Sequence, residues 1–265
     1  MAFYATSFIF DGIPSEEYGL IISSSSGEDS SSVSNEVSIT TEKIFRNPVP
    51  YFYGVNQNSV LEMDLELRTT ETEITSEDMA LIQRWLFGHQ TYKQLRIVQP
   101  DMEEYYFNCI FTSGNIIKVG NIIRGVDVHI VCDSPFAWGE ERTHTLVGTA
   151  TFDIYNPSEN NYYTFPDMVV VMAAGGEDWF TITNITDNNR QFSMSGMSVG
   201  SEETITINNQ YQIIDAVNTS NPLSQIQTGT GYDYFFRLVP GYNQIQTTGN
   251  VETCTITYVP MKRMV

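Results

Sequence analysis

The sequence predicts an all-β protein with a single helix. Apolar and charged residues alternate strictly from Leu61 to Arg68, and this period of two is typical of a strand with one buried and one exposed face. Shorter alternating runs follow along the whole chain, and Asn, Gly and Pro residues separate them. Only one stretch has helical spacing instead. Many short strands divided by turn residues are typical of β-sandwiches and jelly rolls.

The predicted strands lie in both halves of the chain. In the first half the alternation is clearest at 61–68, 105–111 and 126–132. In the second half the corresponding runs are shorter and more numerous, at 152–154, 168–172, 180–182, 192–194, 205–207, 236–238 and 254–258. Most of these runs contain β-branched or aromatic residues, which favour strands over helices.

One helix is predicted over about 76–88. Thr75 precedes Asp78 by three positions, a capping-box pattern that marks a helix start. Apolar residues then recur at helical spacing, at Met79, Ile82, Trp85 and Leu86. Gly88 follows as a C-terminal stop.

The length of 265 residues is sufficient for two domains. The stretch 133–146 interrupts the strand pattern with Pro135, Gly139 and a group of charges, so we place the junction there. The predicted domains are 1–138 and 139–265. The Ser-rich stretch 23–34 has too few apolar residues to pack a core and is predicted to be a solvated loop.

The charge balance excludes some partners. The net charge is −19, and acids outnumber bases in both halves, so no basic stripe is available to neutralise phosphates. We therefore predict no sequence-specific nucleic-acid binding. No apolar run approaches the roughly 18 residues that span a bilayer, so we expect no membrane segment.

The cysteine pattern predicts synthesis in the cytosol. The three cysteines, Cys109, Cys132 and Cys254, are odd in number and far apart, and none belongs to a CxxC pair. Each falls within a strand-like run, so we predict reduced, buried thiols.

No motif of an enzyme is present. The three histidines, His89, His129 and His144, are widely separated and show no metal-ligand spacing. His129 and Asp127 share a strand face and could touch, but they are interpreted as ordinary polar-face residues. No pair of carboxylates stands out as a catalytic pair. We expect no catalytic residue, no cofactor and no metal site, although a glycoside hydrolase stays open as a weak alternative.

The segment 35–60 is a candidate interaction element. It places β-branched and apolar residues before two prolines and an aromatic triplet, which suits either a hairpin closing its own sheet or an arm reaching a neighbouring subunit. The interface residues predicted for such an arm are Val37, Ile39, Ile44, Phe45, Tyr51, Phe52 and Tyr53.

A sugar platform is a second possibility. Four aromatic residues of the junction and second half could stack on sugar rings, namely Trp138, Trp179, Tyr232 and Tyr234. Core or interface packing is the favoured interpretation for the two tryptophans.

Five segments of the sequence resemble segments of a known protein family. The chain contains, in order, FIFDGIPSEEYGLII (8–22), VDVHIVCDSPFAWGEE (126–141), ETITINNQ (203–210), FFRLVPGYNQIQTTG (235–249) and the closing TITYVP. The first resembles the opening of the siphophage distal tail protein family, with a strand, a Gly turn and a Ser-acid-aromatic-Gly-Leu phrase. The second is similar to the strand and Pro-Phe-aromatic turn that end the first domain of that family. The others resemble its galectin-like second domain.

The resemblance implies a fold and an assembly. It implies an N-terminal β-sandwich-like ring domain with an extended hairpin, called the belt, and a C-terminal galectin-like β-sandwich. The belt is expected at about 33–60. Six copies would form a homo-hexamer around a channel wide enough for DNA.

The resemblance also implies partners and a location. One face of the ring would dock the tail tube protein and the other the tail-associated lysin or spike protein. The periphery would carry receptor-binding proteins. We therefore predict a structural tail-tip protein of the virion, made in the bacterial cytoplasm. The alternative is a carbohydrate-binding host-adhesion protein that uses the C-terminal domain.

Overall fold

The computed structural model describes residues 5–25, 37–43, 45, 49–57, 60–71, 73–159, 163–227 and 235–263. The chain divides into two compact units, Met1–Trp138 together with Lys262–Val265, and Gly139–Met261. Each unit has its own hydrophobic core. The predicted fold class, all-β with one helix, is confirmed, because the described residues form twenty strands and one α-helix.

The strands of the first unit form one large antiparallel sheet and one separate hairpin. They are β1 (Phe8–Phe10), β2 (Ile13–Pro14), β3 (Leu20–Ser25), β4 (Val37–Glu42), β5 (Tyr51–Gln57), β6 (Glu62–Thr69), β7 (Lys93–Ile97), β8 (Tyr105–Val119), β9 (Ile122–Cys132) and β10 (Phe136–Gly139). The large sheet has the order β2-β1-β7-β8-β9-β6-β3, and β10 also pairs with β8. β4 and β5 pair only with each other among the described strands.

Alternation along each strand decides which side chains enter the core of the first unit. In β6, Leu65 and Leu67 are buried, whereas Glu62 and Asp64 are exposed. β8 and β9 continue the same apolar face through the buried residues Phe107, Cys109, Phe111, Val126, Val128 and Ile130. A one-residue slip would exchange the two faces, so this pattern fixes the register of the sheet.

The helix α1 (Ser76–Phe87) packs on this apolar face. Its N-terminus has the predicted capping box, in which Thr75 and Asp78 bond each other's backbone. Trp85 is the main contact, since its indole Nε1 donates a 3.1 Å hydrogen bond to the carbonyl of Phe10. Its ring also stacks on Phe8, with 5.6 Å between centroids, and on Tyr18, with 4.5 Å.

The last described strand, β20 (Met261–Arg263), runs into the first unit from Lys262 onward. The Lys262 ammonium donates a 2.7 Å hydrogen bond to the carbonyl of Asp101. It also lies 5.0 Å from the centroid of the Tyr105 ring. The first unit is therefore made of two segments that are distant in sequence.

The second unit is a sandwich of two antiparallel sheets. Its strands are β11 (Arg142–Val147), β12 (Thr151–Asn156), β13 (Asp167–Met172), β14 (Trp179–Asn184), β15 (Arg190–Ser195), β16 (Glu203–Asn208), β17 (Ile213–Ala216), β18 (Gly241–Gly249) and β19 (Thr253–Tyr258). One sheet has the order β11-β19-β13-β16-β17, and the other has the order β12-β18-β14-β15. The ring, belt and galectin-like roles given to the domains stay predictions.

Alternating residues of both sheets fill the core of the sandwich, among them Phe180 and Phe192 from one sheet and Met168 and Ile205 from the other. Phe236, from the segment before β18, is fully buried in the same core. At one end of the core lies a polar group with satisfied partners. Asn243 is fully buried; its amide donates to the carbonyls of Val239 and Gly241, and its side-chain oxygen accepts from Asn184. Buried polar groups of this kind stabilise a fold only when they are hydrogen-bonded.

Candidate interaction surfaces

An open groove of about 630 Å³ lies on the polar side of the first unit's sheet. Its polar lining comes from three neighbouring strands and consists of Asp64, Glu66, Ser113, Asn115, Asp127 and His129. Ser23 and Arg68 bond Glu66 and hold the pKa of that carboxyl below its usual range. In the described part of the chain, no three His, Cys, Asp or Glu side chains are grouped so as to hold a metal ion.

His129 contacts a different carboxylate from the one suggested by the sequence. Its Nδ1 lies 2.7 Å from Oδ1 of Asp64, the residue directly opposite on β6, and its Nε2 lies 3.6 Å from Oε2 of Glu62. Asp127 lies two residues away on the same strand, opposite Glu66 of β6. Both ring nitrogens therefore face carboxylates of β6.

The hairpin of β4 and β5 is the most exposed apolar element of the first unit. The two strands pair in antiparallel register from Val37–Gln57 to Glu42–Tyr51. The register shifts between Thr40 and Thr41, so Tyr53 is the extra residue of a β-bulge. The Tyr53 hydroxyl donates a 3.0 Å hydrogen bond to the Glu42 carboxylate, which ties the two strands together beside the bulge.

Most of the predicted interface residues lie on this hairpin or in its turn. Side-chain exposure ranges from 51% for Tyr51 to 87% for Phe45, with Ile39, Phe52 and Tyr53 in between. Val37 is described only as the first backbone position of β4, and Ile44 lies outside the described residues. Sequence reasoning missed Val49, which is 68% exposed; its position between Pro48 and Pro50 was a usable signal.

The described residues of the hairpin have features that are typical of interaction surfaces. An isolated two-stranded hairpin is marginally stable in water. Clustered exposed apolar side chains are typical of interaction sites, and the outer edges of a two-stranded sheet present backbone groups that another strand can pair with. These features make the hairpin a candidate interaction surface.

The aromatic residues considered for a sugar platform differ in their exposure. Core or interface packing was the favoured interpretation for Trp179; its side chain is 37% exposed, because Phe180 takes the inward position at the start of β14. Trp138 is half-buried and donates a 3.0 Å hydrogen bond from Nε1 to Asp133. Tyr232 and Tyr234 lie outside the described residues. Sequence reasoning missed Tyr155 and Tyr242, which form an exposed ring pair.

Comparison with protein families decides the identity of the chain. Residues 3–134 match the model of a phage tail protein N-terminal domain, and residues 136–258 match that of a phage tail C-terminal domain. The chain belongs to this phage tail protein family. No curated protein sequence matches it.

One solved structure shares the fold of this phage tail protein, and two others are similar with lower scores. The Dit protein (gp 19.1) of phage SPP1, described as a paradigm of the hub adsorption apparatus in phages that infect Gram-positive bacteria, superposes with a TM-score of 0.70. The two chains are 12% identical, and the match covers 96% of this chain and 98% of that one. Chains of two phage P2 baseplate structures in the activated conformation match with lower TM-scores. The chain with Ca scores 0.47 at 9% identity, covering 99% of this chain and 100% of that one. The chain with Sr scores 0.42 at 10% identity, covering 93% and 92%.

These matches confirm the resemblance to the siphophage distal tail protein family. The phage tail protein is a structural component of the virion tail. No helix in the described ranges is long and apolar enough to cross a membrane.

Proposed function

We propose that this phage tail protein is the hub subunit of the tail tip, and that six copies close into a ring through the β4–β5 hairpin. The exposed hairpin carries the proposal. It carries five predicted interface side chains that are exposed, and among the described strands it pairs with no other element. Exposed aromatic side chains that cluster on one element are typical of interaction sites. In this proposal a neighbouring copy of the chain covers them.

The hairpin binds the next subunit in two ways. Its main chain adds to a neighbouring sheet edge, which provides affinity, and its aromatic side chains enter apolar contacts there, which provides specificity. Each subunit offers its hairpin to one neighbour and receives the hairpin of the other. A head-to-tail contact of this kind closes into a ring when its rotation fits a whole number of subunits.

The ring joins the other tail components. One face docks the tail tube protein, the opposite face docks the tail-associated lysin or spike protein, and the periphery carries receptor-binding proteins. DNA passes through the central channel. The acidic character of the chain, with a net charge of −19, supports this arrangement because a surface without basic patches does not retain a passing polyanion.

The function is structural and not enzymatic in this proposal. The ring nitrogens of His129, in the open groove, face the carboxylates of Asp64 and Glu62. His129 therefore forms polar cross-strand contacts with β6. The three thiols are all buried in the cores, so none is placed to act as a nucleophile.

Native mass spectrometry of the purified full chain tests the ring. We expect a hexamer for the wild type and a monomer for the double variant Phe52→Ser with Tyr53→Ser. The matched control is Ile213→Ser with Val217→Ser, which removes two equally exposed apolar side chains from the second unit and is expected to stay hexameric. A monomeric wild type at micromolar concentration contradicts the ring. A hexameric Phe52/Tyr53 variant shows that the interface lies elsewhere.

A further inference from the structure

The outward face of the sheet containing β12 and β18 carries an aromatic pair that the core does not need. Tyr155 on β12 lies directly opposite Tyr242 on β18. The two rings are 4.9 Å apart between centroids and tilted by 52°. Tyr155 is 49% exposed and Tyr242 is 73% exposed, while the inward neighbours Ile154 and Asn243 are fully or almost fully buried. The two tyrosine rings therefore lie on the outer surface of the sandwich and not in its core.

The next outward row supplies polar groups. Asp153 lies opposite Gln244, and the Gln244 amide approaches the Asp153 carboxylate at 3.5 Å. One row further, Thr151 lies opposite Gln246. Outward rows on a strand are two residues, or about 6.8 Å, apart. An aromatic pair and a carboxylate–amide pair are thus adjacent on one exposed face.

The backbone beneath this cluster is fixed by buried hydrogen bonds. Asn243 bonds the carbonyls of Val239 and Gly241 at 2.8 and 3.0 Å, which holds the turn that precedes Tyr242. The Tyr155 carbonyl accepts a 2.8 Å hydrogen bond from the hydroxyl of Tyr258. Gln244 is held by a 3.0 Å bond from its own N–H to Thr186 Oγ1. A cluster on a rigid frame loses little conformational entropy when it binds a ligand.

The charge of the face selects the class of ligand. Among the outward positions of β12 and β18, Asp153 is the one charged side chain, although the whole chain has a net charge of −19. The outward positions of the two strands have no cation to pair with an anionic polymer, and the net negative charge of the chain repels one. It does offer aromatic rings, an acceptor carboxylate and amides that both donate and accept. These groups complement an uncharged ligand with an apolar ring face and neighbouring hydroxyls.

We propose that Tyr155, Tyr242, Asp153 and Gln244 form a binding site for a neutral glycan. The apolar face of a sugar ring packs on Tyr242 and Tyr155. Two adjacent hydroxyls then bond the carboxylate of Asp153 and the amide of Gln244, and a hydrogen bond to the charged carboxylate is the stronger of the two. This function goes beyond the structural hub and does not depend on the ring.

A glycan array of neutral and anionic bacterial oligosaccharides, probed with the full chain, tests the site. The best neutral binder is then titrated calorimetrically against three variants. We expect Tyr242→Ala and Asp153→Asn each to weaken binding about tenfold. The control is Tyr211→Ala, which removes a tyrosine of similar exposure away from this face and is expected to bind as the wild type does. Thermal unfolding checks that all three variants are folded.

Several outcomes overturn the proposal. These are an array with no saturable neutral binder, a preference for anionic glycans, and equal binding by the wild type and Tyr242→Ala. A protein partner is the other class of ligand for this face. If Tyr242→Ala leaves glycan binding intact but removes a peripheral protein from assembled tails, the face is a protein-docking surface and the glycan site is wrong.

Discussion

Cys109 and Cys132 lie directly opposite each other on β8 and β9, and both side chains are fully buried with free thiols. The third thiol, Cys254, is buried in the core of the second unit. Burial raises the pKa of Cys132 and of Cys254 to about 12, and it raises the pKa of Cys109 as well. The sequence prediction of buried cysteines agrees with this arrangement.

Thiol reactivity is therefore expected to report unfolding. The thiolate is the reactive form, and burial disfavours it in the folded chain. A disulfide reagent at about pH 8, close to the ordinary thiol pKa, should label no thiol of the native protein within minutes and all three after denaturation. The measurement is mass spectrometry of the labelled chain. Rapid labelling of one native thiol would show that its core opens locally.

The contribution of the thiols to the free energy of unfolding should also fall as the pH rises from about 9 towards 12. The folded-state pKa values of Cys132 and Cys254 lie above the ordinary thiol value of about 8.5, so the unfolded chain loses its thiol protons first. Loss of protons from the unfolded state stabilises that state. The double variant Cys132→Ala with Cys254→Ala, followed by urea denaturation at each pH, should show a shallower decrease than the wild type.

Thr75→Ala should destabilise the first unit by about 1 kcal/mol, because it removes the side chain that caps α1. Thr91→Ala is the control, since Thr91 is an exposed threonine of the same unit outside any helix. Its substitution is expected to change stability by less than about 0.5 kcal/mol. Urea denaturation of the two variants measures the difference. Equal stabilities would show that the capping box contributes nothing to the folded chain.

Asp187→Ala should destabilise the second unit by about 3 kcal/mol. The Asp187 carboxylate is nearly buried and accepts two hydrogen bonds from Arg237, at 2.6 and 3.1 Å. The Arg237 guanidinium also lies 3.3 Å from the centroid of the Tyr163 ring, so removal of its carboxylate leaves a charge in a partly desolvated position. Lys93→Ala, which breaks a more exposed pair with Asp11 at 3.2 Å, is the comparison and should cost less than about 1 kcal/mol. Similar losses in thermal stability would contradict this ranking.

Assembly of the proposed ring should weaken at low salt. Every copy carries a net charge of −19, and repulsion between copies acts over about 30 Å at 0.01 M salt but about 8 Å at 0.15 M. Sedimentation velocity at these two salt concentrations should show a smaller hexamer fraction at the lower one. The same fraction at both would mean that the interface contacts far outweigh the repulsion.

The sequence predicted local elements well because their signals are local. The helix was recognisable from Thr75, Asp78 and the spacing of its apolar residues, all within one stretch of chain. The aromatic triplet of β5 was recognisable as a candidate interface for the same reason. In both cases the residues that interact, or that share a surface, are close in sequence.

Contacts across the sheets could not be derived in this way. From the sequence, His129 could touch Asp127 because the two share a strand face, but the antiparallel register of β6 and β9 places Asp64 opposite the ring. The Tyr155–Tyr242 pair likewise depends on β12 lying beside β18. Periodicity shows which side chains share a face, whereas the neighbouring strand is chosen by the whole fold.

The return of the chain to the first unit at Lys262 has a consequence for biosynthesis. The contacts of Lys262 with Asp101 and Tyr105 can form only after every residue of the second unit has been translated. The amino-terminal unit must therefore wait for its last contacts until the other unit has emerged, and a messenger truncated at codon 138 would encode a unit that never receives them.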